Sequence, residues 1–311
     1  MIVPYADPNY YEARPTIAIP RPGEDGGAID LDGVVGLHPA LAPLTPWYRQ
    51  GALTVICGVG SLQPTRCHFR AQALLERGVR RATSTADGWL NRYLERTADR
   101  GAARRRAAAI GRELPLALRG GVPVGTIAPC PAVRKNSEKD SRYPPSPLGR
   151  AMQAIAWAIR REPNLEIAWT DSGGWDTHVM QGATSGPLAE RLNDLAQSIA
   201  AFAADLGEGM ADTVVLTMSE FGRTVRENDL GGTDHGRGTA CLILGGGACG
   251  GRVLGHWPAI DPNVPDIAVT TDFRDVFAGL LVRHLGLPTS DVPTIFPGHN
   301  ADRRRWVYVT T

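Results

Sequence analysis

The 311-residue sequence lacks a long hydrophobic run, and its longest apolar stretch is far shorter than the roughly 20 residues that span a bilayer. It also lacks an excess of charge of one sign, since 33 Lys and Arg face 32 Asp and Glu. A general attraction to nucleic acid or to an acidic membrane surface is therefore not expected. No basic segment followed by an apolar one opens the sequence, as it would in a secretory signal.

Cysteine is scarce as well. The five cysteines are an odd number without paired Cys-x-x-Cys spacing, and they stand at Cys57, Cys67, Cys130, Cys241 and Cys249. This pattern fits neither a disulfide framework nor a zinc ribbon. Cys57 and Cys241 fall within apolar runs, so we predict that they are small hydrophobic residues of the core.

The rest of the composition is that of a globular protein, with 43% hydrophobic and 21% charged residues. A chain of this length can bury one large core, so we predict a single α/β domain over residues 1–311. Residues 1–36 are rich in Pro, Gly and Asp and are predicted to form an irregular N-terminal segment. Pro, Ser and mixed charges over residues 129–147 predict an exposed loop.

From His38 onward, short apolar runs alternate with helical patterns. Strands are predicted at 53–60, 165–171, 213–218 and 240–246, with weaker candidates at 107–112 and 123–129. Helices are predicted at 39–50, 68–77, from 88 onward, 148–161, 187–206 and 272–285. The clearest helix has apolar residues at steps of four and three, namely Leu188, Leu192, Leu195, Ile199, Phe202 and Leu206. The alternation predicts a mostly parallel sheet that is covered by helices on both faces.

Reactive side chains follow three of these strands. The residues after the strands at 53–60, 165–171 and 213–218 include Cys67, His68, Asp176, His178, Glu220 and Arg223. In open parallel sheets, ligands bind beyond the carboxyl ends of the strands, so we expect these groups to converge. A fourth cluster, Asp234 and His235, precedes its strand, and only folding of the loop could bring it to the others.

These residue types suit metal binding. Carboxylates with imidazoles satisfy zinc, manganese or iron, and several of each can hold two ions. Two ions about 3.5–4 Å apart clamp the attacking and leaving oxygens in phosphoryl transfer. Arg223 adds a guanidinium fork that matches phosphate or sulfate oxygens. The predicted metal ligands are Asp176, His178, Glu220, Asp234 and His235.

Each of these residues also has a structural alternative. Asp234–His235, next to glycine, could form a turn or a helix cap. Glu220 could simply pair with Arg223. Cys67 could be the residue that starts a helix, because a Ser at that position would be an N-cap.

The motifs GGWDTH, SEFGRT and GTDHG in this order, with RCHFRAQ and GWLNRYL upstream, resemble those of the bacterial domain-of-unknown-function 1501 family. The resemblance runs from VPYADPNYYEARPTIAI, which begins at Val3, to the Gly-Gly-Arg-Val-Leu-Gly stretch at 250–255. That family is similar to the alkaline-phosphatase superfamily, which includes phosphatases, sulfatases and cofactor-independent phosphoglycerate mutases. The resemblance implies a three-layer α/β/α sandwich with up to two divalent ions: zinc, manganese, calcium or magnesium.

Carried over to this sequence, the resemblance implies that Asp176 and His178 serve one metal and that Asp234 and His235 serve the other. Glu220 would ligate or support. Cys67 stands where the family usually has Ser before His, which matches the position of the superfamily's nucleophile. The sulfatase pattern Cys-x-Pro/Ala-x-Arg is absent, so no formylglycine is predicted.

The implied function is metal-dependent hydrolysis of a small phosphate or sulfate ester. An oxygen on the metal or the Cys67 thiol would attack, and Arg223 or His68 would steady the oxyanion. The alternative is a non-catalytic relative that binds a partner or an anionic ligand through a degraded site.

The sequence departs from the family at its start. Members begin with a strand ending in an Arg-Gly-Gly-x-Asp-Gly-like motif, whose Asp is the expected bridging ligand, and this sequence starts after it. Either the start codon was misassigned or the protein lacks that strand and ligand. We expect an empty central position or an exposed apolar groove in the sheet, whose unpaired edges favour a homo-oligomer. The missing strand and the Ser-to-Cys exchange favour the non-catalytic alternative. Members often carry a twin-arginine export signal upstream, so the resemblance allows a periplasmic location.

Overall fold

The computed structural model describes residues 1–81, 85–100, 105–129, 142–246, 250–255, 257–261 and 263–299. Within these ranges, the helices are α1 (Pro8–Ala13), α2 (Thr45–Arg49), α3 (His68–Arg77), α4 (Trp89–Arg96), α5 (Pro147–Arg161), α6 (Pro187–Leu206), α7 (Phe273–Arg283) and α8 (Val292–Ile295). The strands are β1 (Ile2–Val3), β2 (Ile29–Asp30), β3 (Gly36–Leu37), β4 (Leu53–Gly60), β5 (Ala107–Ile110), β6 (Gly125–Ile127), β7 (Ile167–Trp169), β8 (Val214–Leu216), β9 (Thr239–Gly245), β10 (Arg252–Leu254) and β11 (Thr271–Asp272). Cys130, Cys249 and most of the predicted 129–147 loop lie outside the described residues.

The strands form mixed sheets. The largest has the order β10-β4-β9-β8, with β11 also pairing with β4, and a second has the order β6-β5-β7. Among the described pairs, four are parallel and four are antiparallel, so the predicted α/β class is found but the prediction of a mostly parallel sheet is wrong. The physical reason lies between β8 and β9. A parallel return needs a crossover, usually a helix, whereas residues 217–238 form no helix and β9 runs back beside β8.

Strand β4 is the centre of the larger sheet and is buried along its whole length. The strand predicted at 53–60 has these bounds in the structure. Cys57 and Cys241 are fully buried in the core, as predicted, and burial raises the pKa of the Cys57 thiol to about 12. After β4, the chain turns through residues 61–67 into α3, which ends at Gly78 in a left-handed conformation (φ 64°).

The helix predicted at 39–50 is split in two. Residues Pro39–Leu44 form a 3₁₀ helix, and α2 follows it. Pro43 and Pro46 lack the N–H groups that a continuous α-helix would require, so the segment adopts shorter hydrogen-bonded turns.

The N-terminal segment is more ordered than predicted. Strand β1 pairs with β3, and β3 with β2, in a small antiparallel sheet, while Asp7 caps α1. The prediction of an irregular segment over residues 1–36 is therefore wrong in part. Short strands of two residues each carry too little apolar periodicity to be recognised in a sequence rich in Pro and Gly.

The two larger sheets are separate. Among the described strands, none joins the β4 sheet to the β5 sheet. Side chains of both sheets nevertheless enter the same two hydrophobic cores. One core contains α4, α7 and α8, and the other contains α5 and α6. Strands β7 and β8, at the edges of their sheets, carry the loops of the candidate site.

Helix α6 buries the predicted face. Leu192, Ile199 and Phe202 are at most 3% exposed, and Leu188, Leu195 and Leu206 pack against the same core. The described helices include none with the length and the apolar character needed to cross a bilayer.

Candidate metal centre

The centre lies where the loops that follow β4, β7 and β8 meet. Asp176 and His178 stand in the loop after β7, Glu220 follows β8, and His68 is the first residue of α3 after β4. Their side chains meet, since His68 lies within 3.3 Å of Asp176 and within 2.6 Å of Glu220. The sequence prediction that these clusters converge is confirmed.

A short antiparallel bridge brings in the fourth cluster. Arg223 and His235 pair as an isolated bridge, with hydrogen bonds from Thr224 N–H to the Asp234 carbonyl (2.8 Å) and from Gly236 N–H to the Gly222 carbonyl (2.8 Å). A Cβ at Gly236 would stand only 2.6 Å from the Arg223 carbonyl carbon. The chain can therefore turn back into the centre only because glycine allows this close approach.

Three imidazoles share one arrangement. In each ring, Nδ1 faces an oxygen: Glu220 Oε1 for His68 (2.6 Å), Asp234 Oδ1 for His178 (3.0 Å) and the Arg66 carbonyl for His235 (2.7 Å). In each ring, Nε2 faces the Asp176 carboxylate, at 3.3, 2.9 and 2.9 Å respectively. Each ring is thus fixed from outside and turned toward one point.

His68, Asp176 and His235 each offer one ligand atom, and these atoms lie within 4.8 Å of one another. His178 Nε2 is 2.9 Å from His235 Nε2. His68 Nε2 is buried and faces Asp176 Oδ2 at 3.3 Å. Three imidazole nitrogens and a carboxylate are a donor set that suits zinc, manganese or iron.

The family model described as protein of unknown function (DUF1501) matches residues 131–304, more than half of the chain. The chain belongs to the DUF1501 family. Comparisons with curated proteins and with solved structures found no match. The matched region contains Asp176, His178, Glu220, Asp234 and His235, whereas His68 precedes it.

In this DUF1501 member, Arg223 supports Asp176. Its Nε donates to Thr233 Oγ1 at 3.2 Å, one terminal nitrogen donates to Asp176 Oδ1, and the other donates to the Thr233 carbonyl. Partial burial acts to raise the pKa of Asp176, but the hydrogen bonds from Arg223 and His235 outweigh it and hold that pKa well below its usual range. Asp176 is therefore ionised across the physiological range. Arg223 uses three of its five N–H groups in these hydrogen bonds, and its predicted oxyanion role stays a prediction.

Asp234 is fixed by Asn228 and His178. A hydrogen bond from Asn228 Nδ2 (3.1 Å) and one from His178 lower the pKa of Asp234. Asn228 also donates to the His178 carbonyl at 2.9 Å, so it links the two loops of the DUF1501 site. Sequence reasoning missed Asn228, because a lone Asn in a loop gives no sign of a partner far along the chain.

Sequence reasoning also missed a buried network beneath the centre. Thr177 and Thr233 both donate their hydroxyls to Gln181 Oε1, at 2.9 and 2.8 Å. All three side chains are at most 8% exposed. The available signal was a Thr directly before both His178 and Asp234, in the motifs DTH and TDH.

Cys67 stands at the edge of the centre. It is the exposed N-cap residue of α3, and its side chain makes no capping hydrogen bond. Its thiol is outside the group of ligand atoms formed by His68, Asp176 and His235. Of the eight predicted site residues, four face the centre with a nitrogen or an oxygen: Asp176, His68, His178 and His235. Three others contact these four: Glu220, Asp234 and Arg223. The eighth is Cys67, which directly precedes His68.

Proposed function

We propose that this DUF1501 protein is a metal-dependent hydrolase of phosphate or sulfate esters. The observation that carries the proposal is the shared orientation of three imidazoles, each anchored at Nδ1 by an oxygen and directed at Asp176 through Nε2. Anchoring of the outer nitrogen by a carboxylate or a carbonyl is the usual support of a metal-binding histidine.

His68, His178, His235 and Asp176 are the residues that would hold the ion. The fit is supported by the donor set, because three imidazole nitrogens face one carboxylate and two of them, His178 Nε2 and His235 Nε2, lie 2.9 Å apart. A divalent ion at this position would act as a Lewis acid on an ester oxygen. Glu220 and Asp234 were predicted as ligands, and here they contact the outer nitrogens of His68 and His178. Asp234, which is 59% exposed, stays the predicted ligand of a second ion.

The chain's own groups have distinct tasks in this proposal. Arg223 keeps Asp176 ionised and fixed by hydrogen bonds. Glu220 holds the ring of His68. The Cys67 thiol is the proposed nucleophile, because it is exposed and directly precedes His68. Thiols are intrinsically strong nucleophiles, and a nearby cation favours the thiolate.

The superfamily assignment is part of the proposal. Two cores that each contain helices and share the strands of both larger sheets support an alkaline-phosphatase-like three-layer sandwich. Strands β7 and β8 are edge strands of the two larger sheets among the described residues, and such edges favour a homo-oligomer.

A second candidate function is a non-catalytic anion- or partner-binding role. The contact of Arg223 with Asp176 favours it, because a guanidinium already neutralises the carboxylate that a metal would need. Metal content separates the two functions. The hydrolase requires bound metal, whereas a binding protein of this kind would contain none.

The test is metal analysis of the purified protein combined with a turnover assay. We expect one or two equivalents of a transition metal by mass spectrometry. We also expect hydrolysis of p-nitrophenyl phosphate or p-nitrophenyl sulfate that EDTA abolishes and added metal restores. Asp176→Asn should lower both metal content and turnover, the latter by about a hundredfold or more.

Asp171→Asn is the matched control. Asp171 is an exposed carboxylate five positions earlier in the same loop, and its contact is with the Trp169 indole. Equal metal content in wild type, Asp176→Asn and Asp171→Asn would overturn the proposed metal centre. A protein that binds metal but turns over neither ester would overturn the hydrolase.

A further inference from the structure

A small pocket adjoins the metal centre on the side of Glu220. Three lining residues lie in the turn after β4 (Ser61, Gln63 and Thr65), and two lie in the loop after β8 (Glu220 and Phe221). The sixth is Arg237. Arg237 stands outside the motifs GGWDTH, SEFGRT and GTDHG. It lies two residues after His235, and its carbonyl accepts a hydrogen bond from Gly222 N–H at 2.9 Å.

The side chain of Arg237 is a cation without a protein partner in the described part of the chain. Its Nε is buried and makes no hydrogen bond there. No carboxylate of the described residues lies within ion-pair distance of its guanidinium, in contrast to Arg66, which pairs with Asp266 at 2.8 Å. Because no described carboxylate pairs with this guanidinium, an anion that enters the pocket would be favoured beside it.

The turn after β4 adds further donors. Ser61, Gln63 and Thr65 are half-buried, while the intervening Leu62 and Pro64 are exposed, so alternate side chains face the pocket. Ser61 Oγ accepts from Gln63 N–H (3.1 Å), and Thr65 Oγ1 accepts from Cys67 N–H (3.4 Å). Neither hydroxyl donates to another described residue. Each therefore keeps its O–H available as a donor.

The only carboxylate of the pocket lining is already engaged. Glu220 Oε1 faces His68 Nδ1 at 2.6 Å, and Oε2 accepts from Ser219 Oγ at 3.2 Å. Ser61, Thr65 and Arg237 offer donors, and the Gln63 amide offers both donors and an acceptor. A tetrahedral oxyanion is the complementary species, because it presents acceptors alone and suits the planar fork of an arginine.

We propose that Arg237, with the hydroxyls of Ser61 and Thr65, binds the phosphate or sulfate group of the ligand beside the metal centre. This inference rests on the proposed function for the identity of the ligand as a substrate. Anion binding itself requires neither metal nor turnover. Arg237 thus joins Arg223 and His68 as a candidate for binding the oxyanion.

The test is calorimetric titration of the full chain with inorganic phosphate, and separately with inorganic sulfate, in the presence of EDTA. Arg237→Gln should weaken binding of the preferred anion about tenfold or more, and Arg237→Lys should weaken it less. Arg70→Gln is the control, because Arg70 is an exposed arginine of α3 and its substitution removes the same charge. The Arg70→Gln variant should bind the anion with an affinity within about twofold of wild type.

Each outcome decides the inference separately from the hydrolase. Anion binding that depends on Arg237 in a protein without metal or turnover would support this inference and defeat the proposed function. Equal affinity in wild type and Arg237→Gln, or equal losses in Arg237→Gln and Arg70→Gln, would overturn the inference, as would absence of binding in wild type. Where turnover is present, Arg237→Gln should raise KM at unchanged metal content. Whether phosphate or sulfate binds more tightly identifies the ester.

Discussion

His68 Nδ1 lies 2.6 Å from Glu220 Oε1, although 152 positions separate the two residues. This hydrogen bond raises the pKa of His68, against the opposing effect of burial. It also fixes the ring so that Nε2 faces Asp176. Glu220 was predicted to ligate or support a metal, and in the structure its carboxylate contacts the outer nitrogen of His68.

Glu220→Gln should therefore weaken metal binding without abolishing it. The amide can still contact His68 but cannot match the charge-assisted hydrogen bond, and loss of such support typically costs 10–100-fold, so we expect a loss of about that size. Competition with a chromogenic chelator measures the affinity. Glu208→Gln, an exposed carboxylate after α6, should leave the affinity unchanged. A complete loss of metal in Glu220→Gln would instead show that Glu220 is itself a ligand.

Gly232→Ala should lower the stability of the protein and weaken metal binding. A Cβ at Gly232 would stand 2.3 Å from the His178 carbonyl carbon and oxygen, so the backbone must move. We expect about 1–3 kcal/mol lower free energy of unfolding and weaker metal binding. Urea denaturation and metal titration measure these effects. Gly173→Ala is the control, since a Cβ there meets no atom within 4 Å, and unchanged behaviour of both variants would contradict the prediction.

Cys67 is expected to act on turnover and not on metal content. Its thiol lies outside the group of ligand atoms, so Cys67→Ser and Cys67→Ala should bind metal as wild type does. Because the thiol is the proposed nucleophile, Cys67→Ala should lower turnover about a hundredfold or more. Ser should also stabilise the start of α3 relative to Ala, by about 1 kcal/mol, because its hydroxyl can cap the helix. Equal turnover in all three proteins would assign Cys67 to the helix start alone.

His38, outside the centre, should make stability depend on pH. The ring is 2% exposed, its Nδ1 accepts the Ala40 N–H at 3.1 Å, and its Nε2 is 2.9 Å from the Ala183 carbonyl. This pairing requires a neutral ring with the proton on Nε2. Burial is the main cause that lowers the pKa of His38 to about 4.

Because the folded pKa is below the unfolded value of about 6.5, the unfolded chain takes up the proton first as the pH falls. The stability present above pH 6.5 should therefore decline between about pH 6.5 and 4. His38→Asn keeps a capping acceptor without titrating in this range. Between pH 7.5 and 4.5, we expect wild type to lose about 2–3 kcal/mol more than the variant in urea denaturation. If the free energy of unfolding of the two proteins had the same pH dependence, His38 would take up its proton equally well in the folded and unfolded states, and the prediction would be wrong.

The local elements could be read from the sequence because their signals are local. The strand at 53–60 and the helix at 68–77 were predicted with the bounds that the structure shows. The direction of β9 could not be predicted, since an apolar run looks the same in either orientation. It is decided by the loop from β8, which folds into the centre and returns without a helix.

The sequence by itself determined the chemistry available to this protein: which imidazoles, carboxylates and arginines exist, and that most of them follow strands. The tertiary structure alone decided their tasks. Glu220 and Asp234 face the outer nitrogens of histidines, Arg223 is engaged by Asp176, and Arg237 has no partner among the described residues. These differences arise from distances of a few ångströms between residues far apart in the chain. Such distances depend on how loops from separate strands pack, and a one-dimensional pattern does not encode that packing locally.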